Sequence, residues 1–280
     1  MPSADYSAKT NSRRTKSQDG YKLYYEKNFS KTKKPVLFFL HGLGGDLDAW
    51  RFIRDELTRK GVPSIALDLR GHGYSDHPRK FASYAMDNFI ADVVAIMAKE
   101  KLKKVVLVGH CFGAITAMHF ALKHPEKLKK LILISGSYAG PPYLVGKILK
   151  ALAAGLANLG ALVSPKPYKP KHSDYPVGKF HSDYEWTGLI RTITHNSLRS
   201  YALISKEIIK LKLEPKLTQI KTPTLVIVGG KDSIFPSAIS KKIHEKIAGS
   251  KFKIIPEGNH VVVLNNAAKV TAAIYSFLKK

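Results

Sequence analysis

Short apolar runs alternate with longer stretches of helical periodicity through the first half of the chain. The apolar runs Val36 to Leu40 and Ser64 to Leu69 flank an amphipathic stretch, Trp50 to Lys60, that stops at Gly61. The same order repeats further along, with the runs VVLVG and LILIS and helical patterns before and between them. Continuous apolar strands alternating with helices are typical of a parallel sheet covered on both faces, so the pattern predicts an α/β fold.

The alternation stops near residue 137 and resumes near residue 217. The interval between contains an Ala/Leu/Gly-rich segment, Leu144 to Val163, and a helical run near Leu198 to Leu213. Beyond it follow two strand patterns, each with a helix after it, at Thr224 to Gly230, Ser237 to Ile247, Phe252 to Ile255 and Ala267 to Leu278. We therefore predict three parts: a core of residues 19–137 and 217–280, a mostly helical cap at 138–216, and a flexible basic tail at 1–18.

Composition limits the class of protein. The chain has 280 residues, 44% of them hydrophobic, which is enough for one large domain with an insertion. Its single cysteine excludes an intrachain disulfide and a Cys-rich zinc site, and a lone thiol suits a reducing compartment. The N-terminal residues lack the apolar core of a signal peptide, and no window reaches the roughly 18 apolar residues of a spanning helix. We therefore expect a cytoplasmic protein.

The net charge of +25 comes from lysines and arginines spread along the chain. Neither an aromatic-plus-basic RNA motif nor a zinc finger occurs, so we expect a basic surface without a nucleic-acid partner. Lys147 and Lys150 lie within the apolar segment Leu144 to Val163. That combination predicts weak contact of the cap with an anionic membrane surface.

The pentapeptide GHCFG, Gly109 to Gly113, stands between a strand pattern and a helix pattern. A nucleophile elbow is a sharp strand-to-helix turn, with small flanking residues, that projects a reactive side chain above the sheet. Here the central residue is Cys111, at a helix N-terminus whose partial positive charge favours a thiolate. We therefore predict that Cys111 is a nucleophile.

A nucleophile needs a base, and the base needs an acid to orient it. Asp232 follows the strand pattern in VIVGGKDSIFP, and His260 lies in a Gly-Asn loop after the last strand pattern. His244, the other histidine beyond Asp232, falls on a predicted helix with a solvated face. We predict the triad Cys111, Asp232 and His260.

Two backbone N–H groups are predicted to hold an oxyanion. One belongs to Phe112, directly after the nucleophile, and the other to Leu43 in the loop HGLGGD. The glycine spacing of that loop fits neither a dinucleotide nor a P-loop site, so no cofactor is expected. His72 and His77 lack metal-ligand spacing and no metal is expected, while His110 is interpreted as a packing or surface residue. The candidates for the substrate pocket are Tyr138, Tyr143 and Trp186.

With these pieces in order, the sequence resembles the α/β-hydrolase superfamily. The matching motifs are HGLGGD, DLRGHGYSD, GHCFGA, VIVGGKD and GNH, with a cap insertion like that of esterase- and lipase-type members. The resemblance implies a mostly parallel twisted sheet with helices on both faces. Most members carry serine where this chain has Cys111; dienelactone hydrolases and polyhydroxyalkanoate synthases also use cysteine, but neither matches this layout closely.

The expected function is hydrolysis of carboxylic esters or thioesters through an acyl-cysteine intermediate. Three alternatives stay open: an acyltransferase using the same triad, a ligand-binding protein that has lost turnover, and a serine enzyme whose nucleophile was replaced by cysteine. The expected partner is a small acyl ester or thioester, and the sequence does not indicate the oligomeric state.

Overall fold

The computed structural model describes residues 11–140, 155, 158, 159, 162, 172, 175 and 197–279. In this part of the chain an eight-stranded sheet has the order β1-β2-β4-β3-β5-β6-β7-β8. Its strands are β1 Asn11–Lys16, β2 Lys22–Lys27, β3 Val36–Leu40, β4 Ser64–Leu67, β5 Val105–His110, β6 Leu128–Ile134, β7 Thr224–Gly229 and β8 Lys251–Ile255. Strands β3 to β8 are all paired in parallel with their neighbours among themselves, whereas β2 pairs antiparallel with both β1 and β4. The predicted fold class is therefore confirmed.

The central strands are apolar on both faces because helices cover both faces. Every residue of β3 and β5 is buried. Successive side chains of a strand point to opposite faces, and Phe38 and Phe39 accordingly belong to two different apolar clusters. This explains why the sequence shows unbroken apolar runs here and not alternation.

The helices divide between the two faces of the sheet. Their bounds are α1 Arg51–Arg59, α2 Met86–Lys99, α3 Phe112–Lys123, α4 Leu198–Ile209, α5 Ser237–Lys246, α6 Val262–Asn265 and α7 Ala267–Leu278. Helices α1 and α7 pack on one face, whereas α2 and α3 pack on the other. The carboxyl ends of the parallel strands are left for the loops that follow them, which is where ligands bind in open α/β sheets.

The prediction of a flexible tail at residues 1–18 is wrong for Asn11–Lys16, which forms a strand. Asn11–Lys16 forms β1 and pairs antiparallel with β2, from Asn11 opposite Lys27 to Lys16 opposite Lys22. Its side chains are nearly all exposed. A strand held at a sheet edge by its backbone needs no apolar alternation, so hydrophobic patterning could not reveal it.

Much of the predicted cap lies outside the described residues. Within 197–216, helix α4 begins after Ser197, whose side chain accepts a hydrogen bond from the Ser200 N–H. The predicted helical run to Leu213 therefore ends earlier, at Ile209. Leu159 and Leu162 are helical, with 58% and 66% of their surface exposed, so these two do not line an apolar inner face.

Candidate active site

Cys111 occupies a strained turn between β5 and α3. Its backbone has φ 51° and ψ −114°, in the left-handed half of conformational space where non-glycine residues are uncommon. Its N–H donates to the Ile134 carbonyl at 3.0 Å, which fixes the turn to the neighbouring strand. A non-glycine residue held in such a conformation indicates a functional constraint.

Two glycines make this turn sterically feasible. A Cβ on Gly109 would lie 2.2 Å from the Gly113 carbonyl oxygen, and a Cβ on Gly113 would lie 2.2 Å from the Leu40 carbonyl oxygen. The start of α3 therefore packs directly against the backbone of β5 and β3. The GxCxG spacing in the sequence is the consequence of these two contacts.

His260 and Asp232 form a close pair beside the turn. The His260 Nδ1 lies 3.0 Å from both carboxylate oxygens of Asp232. The Asp232 Oδ1 also accepts hydrogen bonds from the N–H groups of Ile234 and Phe235, at 3.1 and 2.8 Å. The backbone of the turn after β7 thus fixes the carboxylate, and the carboxylate fixes the ring.

The third member, Cys111, is hydrogen-bonded to the His260 side chain. Burial alone would lower the pKa of His260, but the Cys111 sulfur and the Asp232 carboxylate raise that pKa to about 10. The imidazolium is therefore the favoured form of His260 near neutral pH. The structure brings together all three residues that the sequence singles out.

His110 has a contact that the sequence did not indicate. Its Nε2 lies 2.9 Å from the His260 carbonyl oxygen and therefore carries the proton and donates it. Burial, together with the adjacent His260, lowers the pKa of His110 to about 3, so the ring is neutral. The residue before Cys111 thus holds the loop that carries His260. Of the two alternatives, packing or surface residue, the structure supports the first, because His110 is buried.

Two more buried histidines hold the loop of residues 41–46, called here the oxyanion loop. His41 Nε2 accepts from the Leu69 N–H at 3.0 Å, and its Nδ1 lies 2.8 Å from the Gly42 carbonyl oxygen. His72 Nε2 accepts from the Gly44 N–H at 3.2 Å. Both rings are neutral, because burial lowers the pKa of His41 to about 4 and that of His72 well below its ordinary value.

The predicted oxyanion donors lie next to the turn. A Cβ on Gly42 would be 3.0 Å from the Cys111 Cβ, so the oxyanion loop passes directly beside the nucleophile position. Within the described part of the chain, neither the Leu43 N–H nor the Phe112 N–H donates a hydrogen bond. The role of these two N–H groups as oxyanion donors stays a prediction.

Of the three residues predicted to line the substrate pocket, one, Tyr138, is among the described residues. Tyr138 is half-buried, and the Lys242 ammonium lies 5.6 Å from its ring centroid; Tyr143 and Trp186 lie outside the described residues. Among the residues described, no group of three or more His, Cys, Asp or Glu side chains is arranged so that it could hold a metal ion. In the same part of the chain, no helix combines the length and apolar character needed to cross a bilayer.

Residues 35–267 match the family described as alpha/beta hydrolase fold, and the chain belongs to that family. A putative esterase/lipase of Haemophilus influenzae is 30% identical over 257 residues, covering 88% of this chain and 84% of that protein. Human protein ABHD8 is 27% identical over 265 residues, covering 87% of this chain and 55% of ABHD8. This chain therefore spans about half the length of the ABHD8 relatives it matches.

Solved structures with the same architecture include an esterase and a lactonase. The esterase EaEST from Exiguobacterium antarcticum aligns with TM-score 0.77 and 22% identity over 96% of this chain and 100% of that one. The enol-lactonase from Burkholderia xenovorans LB400 aligns with TM-score 0.75 and 22% identity over the same shares. At these identities the likeness establishes the fold alone. The family and the esterase/lipase relative support a hydrolase.

Proposed function

We propose that the protein hydrolyses carboxylic esters or thioesters through an acyl-cysteine intermediate. The observation that carries this proposal is the hydrogen-bonded series Cys111, His260 and Asp232, built on a strained turn. The name of the esterase/lipase relative supports the same bond class. A free thiol at the site fits a reducing compartment, so cytoplasmic location is part of the proposal.

The first half-reaction acylates the cysteine. The Cys111 thiolate attacks the carbonyl carbon and forms a C–S bond, while the carbonyl π electrons move to oxygen, where the Leu43 and Phe112 N–H groups stabilise the charge. The tetrahedral intermediate collapses and breaks the bond to the leaving alkoxide or thiolate. That group takes a proton from the His260 imidazolium, which Asp232 has held in the correct orientation.

The second half-reaction restores the enzyme. Neutral His260 takes a proton from water as the water oxygen attacks the acyl-cysteine carbonyl. The C–S bond then breaks, the carboxylic acid leaves, and the thiolate–imidazolium pair returns. Because the acyl-enzyme is itself a thioester, an alcohol or thiol could replace water as acceptor.

Acyl transfer is the second candidate. A Pseudomonas putida relative named as a dihydrolipoyllysine-residue acetyltransferase component is 28% identical over 246 residues and supports this class. The two activities differ only in the acceptor, so adding an alcohol or thiol during turnover distinguishes them. Formation of a new ester or thioester in preference to free acid would favour the transferase.

The test is intact mass measured during turnover of short-chain esters and thioesters. A hydrolase should show an acyl adduct on wild type that clears with time. Cys111→Ala and His260→Ala should each lose on the order of 10³-fold or more in kcat/KM, because triad members act as a unit. Full activity of Cys111→Ala would refute the nucleophile assignment and favour a ligand-binding protein.

Cys111→Ser provides the sharper comparison. A site adapted to a thiolate–imidazolium pair should work more slowly with serine, whereas a site in which cysteine had replaced serine should work faster. Alkylation by iodoacetamide serves as the control, because it should label wild type and leave Cys111→Ser unmodified.

A further inference from the structure

His172 belongs to the predicted cap segment, yet its ring lies between two carboxylates of the core. Its Nε2 is 2.6 Å from Asp68 Oδ2 and its Nδ1 is 3.2 Å from Asp48 Oδ2. Ionised carboxylates only accept hydrogen bonds, and neutral imidazole has a single N–H. Two such contacts at once require a proton on both ring nitrogens, so His172 is an imidazolium.

The surroundings of His172 agree with that charge state. The rings of Tyr24 and Tyr74 pack against it, with centroids 5.5 and 4.3 Å away. Burial alone would lower the pKa of His172, but Asp48, Asp68 and Asp46 raise it to about 10. Among the described residues, Arg51 also contacts Asp48 at 2.8 Å, and His41 and His77 interact electrostatically with Asp68.

Both carboxylates are linked to the segment Leu47–Trp50, which directly follows the oxyanion loop: Asp68 accepts a hydrogen bond from it, and Asp48 is part of it. Asp68 Oδ1 accepts from the Leu47 N–H at 2.9 Å, and Asp48 belongs to the short helical turn Leu47–Trp50. The same Asp68 accepts from the Tyr74 N–H at 2.8 Å through Oδ2. A shift of Asp68 or Asp48 would therefore move the end of the oxyanion loop.

We infer that His172 is a positioning residue: its imidazolium bridges Asp48 and Asp68, and thereby fixes the oxyanion loop beside Cys111. The reaction it serves is the one proposed above. His172 does not act on the substrate directly. It acts by holding the segment that carries the Leu43 N–H in place.

The test compares His172→Gln with His172→Arg. Glutamine is neutral and cannot donate to both carboxylates in the same geometry, whereas arginine keeps a permanent charge and several donors. We expect kcat of His172→Gln to fall about 10- to 100-fold, since a displacement of roughly 1 Å at a catalytic group has effects of this size. KM should change less, and His172→Arg should recover part of kcat.

A second measurement does not depend on activity. Amide hydrogen exchange in the peptide spanning residues 41–50 should be faster in His172→Gln, while the peptide around Cys111 and its alkylation rate stay unchanged. Asp48→Asn weakens the same contact from the core side and should show the same pattern. His244→Gln is the matched control, because His244 bonds Ser250 at 2.7 Å, away from this cluster.

The possible results separate the two proposals. Unchanged exchange in residues 41–50 and unchanged kcat in both His172→Gln and Asp48→Asn would overturn the role of His172. A uniform loss of folding and of Cys111 alkylation in both variants would also overturn it, because the contact would then support the whole fold. If wild type turns over no ester or thioester, the proposed function fails, and the exchange experiment alone decides the role of His172.

Discussion

Replacing Gly109 by alanine tests the turn on which the proposed chemistry depends. The added Cβ would lie 2.2 Å from the Gly113 oxygen and 2.4 Å from the Gly113 carbon, whereas ordinary contacts begin at 3.4 Å. The obstacle is backbone, so no side-chain rotation relieves it. Either α3 moves away from β5 by about 1 Å or the strand bends, and overpacking of this kind costs about 1–3 kcal/mol.

The stability and the chemistry should respond together. For a domain of this size, roughly 2–4 °C of melting temperature is lost per kcal/mol. Because the displaced backbone carries Cys111 and the Phe112 N–H, thioester hydrolysis should fall on the order of 10²-fold in kcat/KM. The alkylation rate of Cys111 should also change, and this readout needs no substrate.

Gly155→Ala is the matched control for this experiment. Gly155 is helical and exposed, and a Cβ there meets no atom within 4 Å. That variant should be neutral or more stable by about 0.5–1 kcal/mol, because alanine loses less backbone entropy than glycine in a helix. If Gly109→Ala keeps the melting temperature, alkylation rate and kcat/KM of wild type, the described packing of α3 on β5 is wrong.

Two further predictions concern the exposed leucines and the contact of His172 with Asp48 and Asp68, which is called here the histidine clamp. The pKa of His172 is about 10 in the folded protein and near 6.5 when unfolded, so its stabilisation is complete below pH 6.5 and is lost as pH rises through 10. Melting temperature should therefore fall more steeply between pH 7 and 10 in wild type than in His172→Gln; parallel curves would contradict a charged clamp. The exposed Leu159 and Leu162, with the net charge of +25, should give weak co-sedimentation with anionic vesicles at low salt. Leu159→Ser with Leu162→Ser should reduce it, and equal binding to neutral vesicles, or none to anionic ones, would contradict the expectation.

The features that sequence predicted well are those with a local cause. The glycines flanking Cys111 stand where a Cβ would collide with backbone, so their spacing is visible without a structure. The buried strands β3 and β5 are unbroken apolar runs because both of their faces are covered. Asp232 and His260 lie close together, as expected, because the carboxyl ends of parallel strands meet at the same end of a sheet.

The features that sequence missed depend on backbone partners or on distant residues. Strand β1 is polar, and its pairing with β2 uses main-chain groups that leave no pattern. His110 contacts the carbonyl of His260, which is 150 positions away. His172 pairs with Asp68 across 104 positions, and no local spacing relates the two. Only tertiary structure identifies such partners.

The contacts of five buried or partly buried histidines also explain why some of these rings are neutral and others are charged. His41, His72 and His110 face backbone groups, which satisfy one ring nitrogen or both but offer no full negative charge, so burial keeps these rings neutral. His260 faces the Cys111 sulfur and the Asp232 carboxylate, and His172 faces two carboxylates. In both cases these partners outweigh the cost of burial. The neutral rings can therefore fix loops at any pH near neutrality. The charged rings are the two whose protonation the proposed reaction and the proposed clamp require.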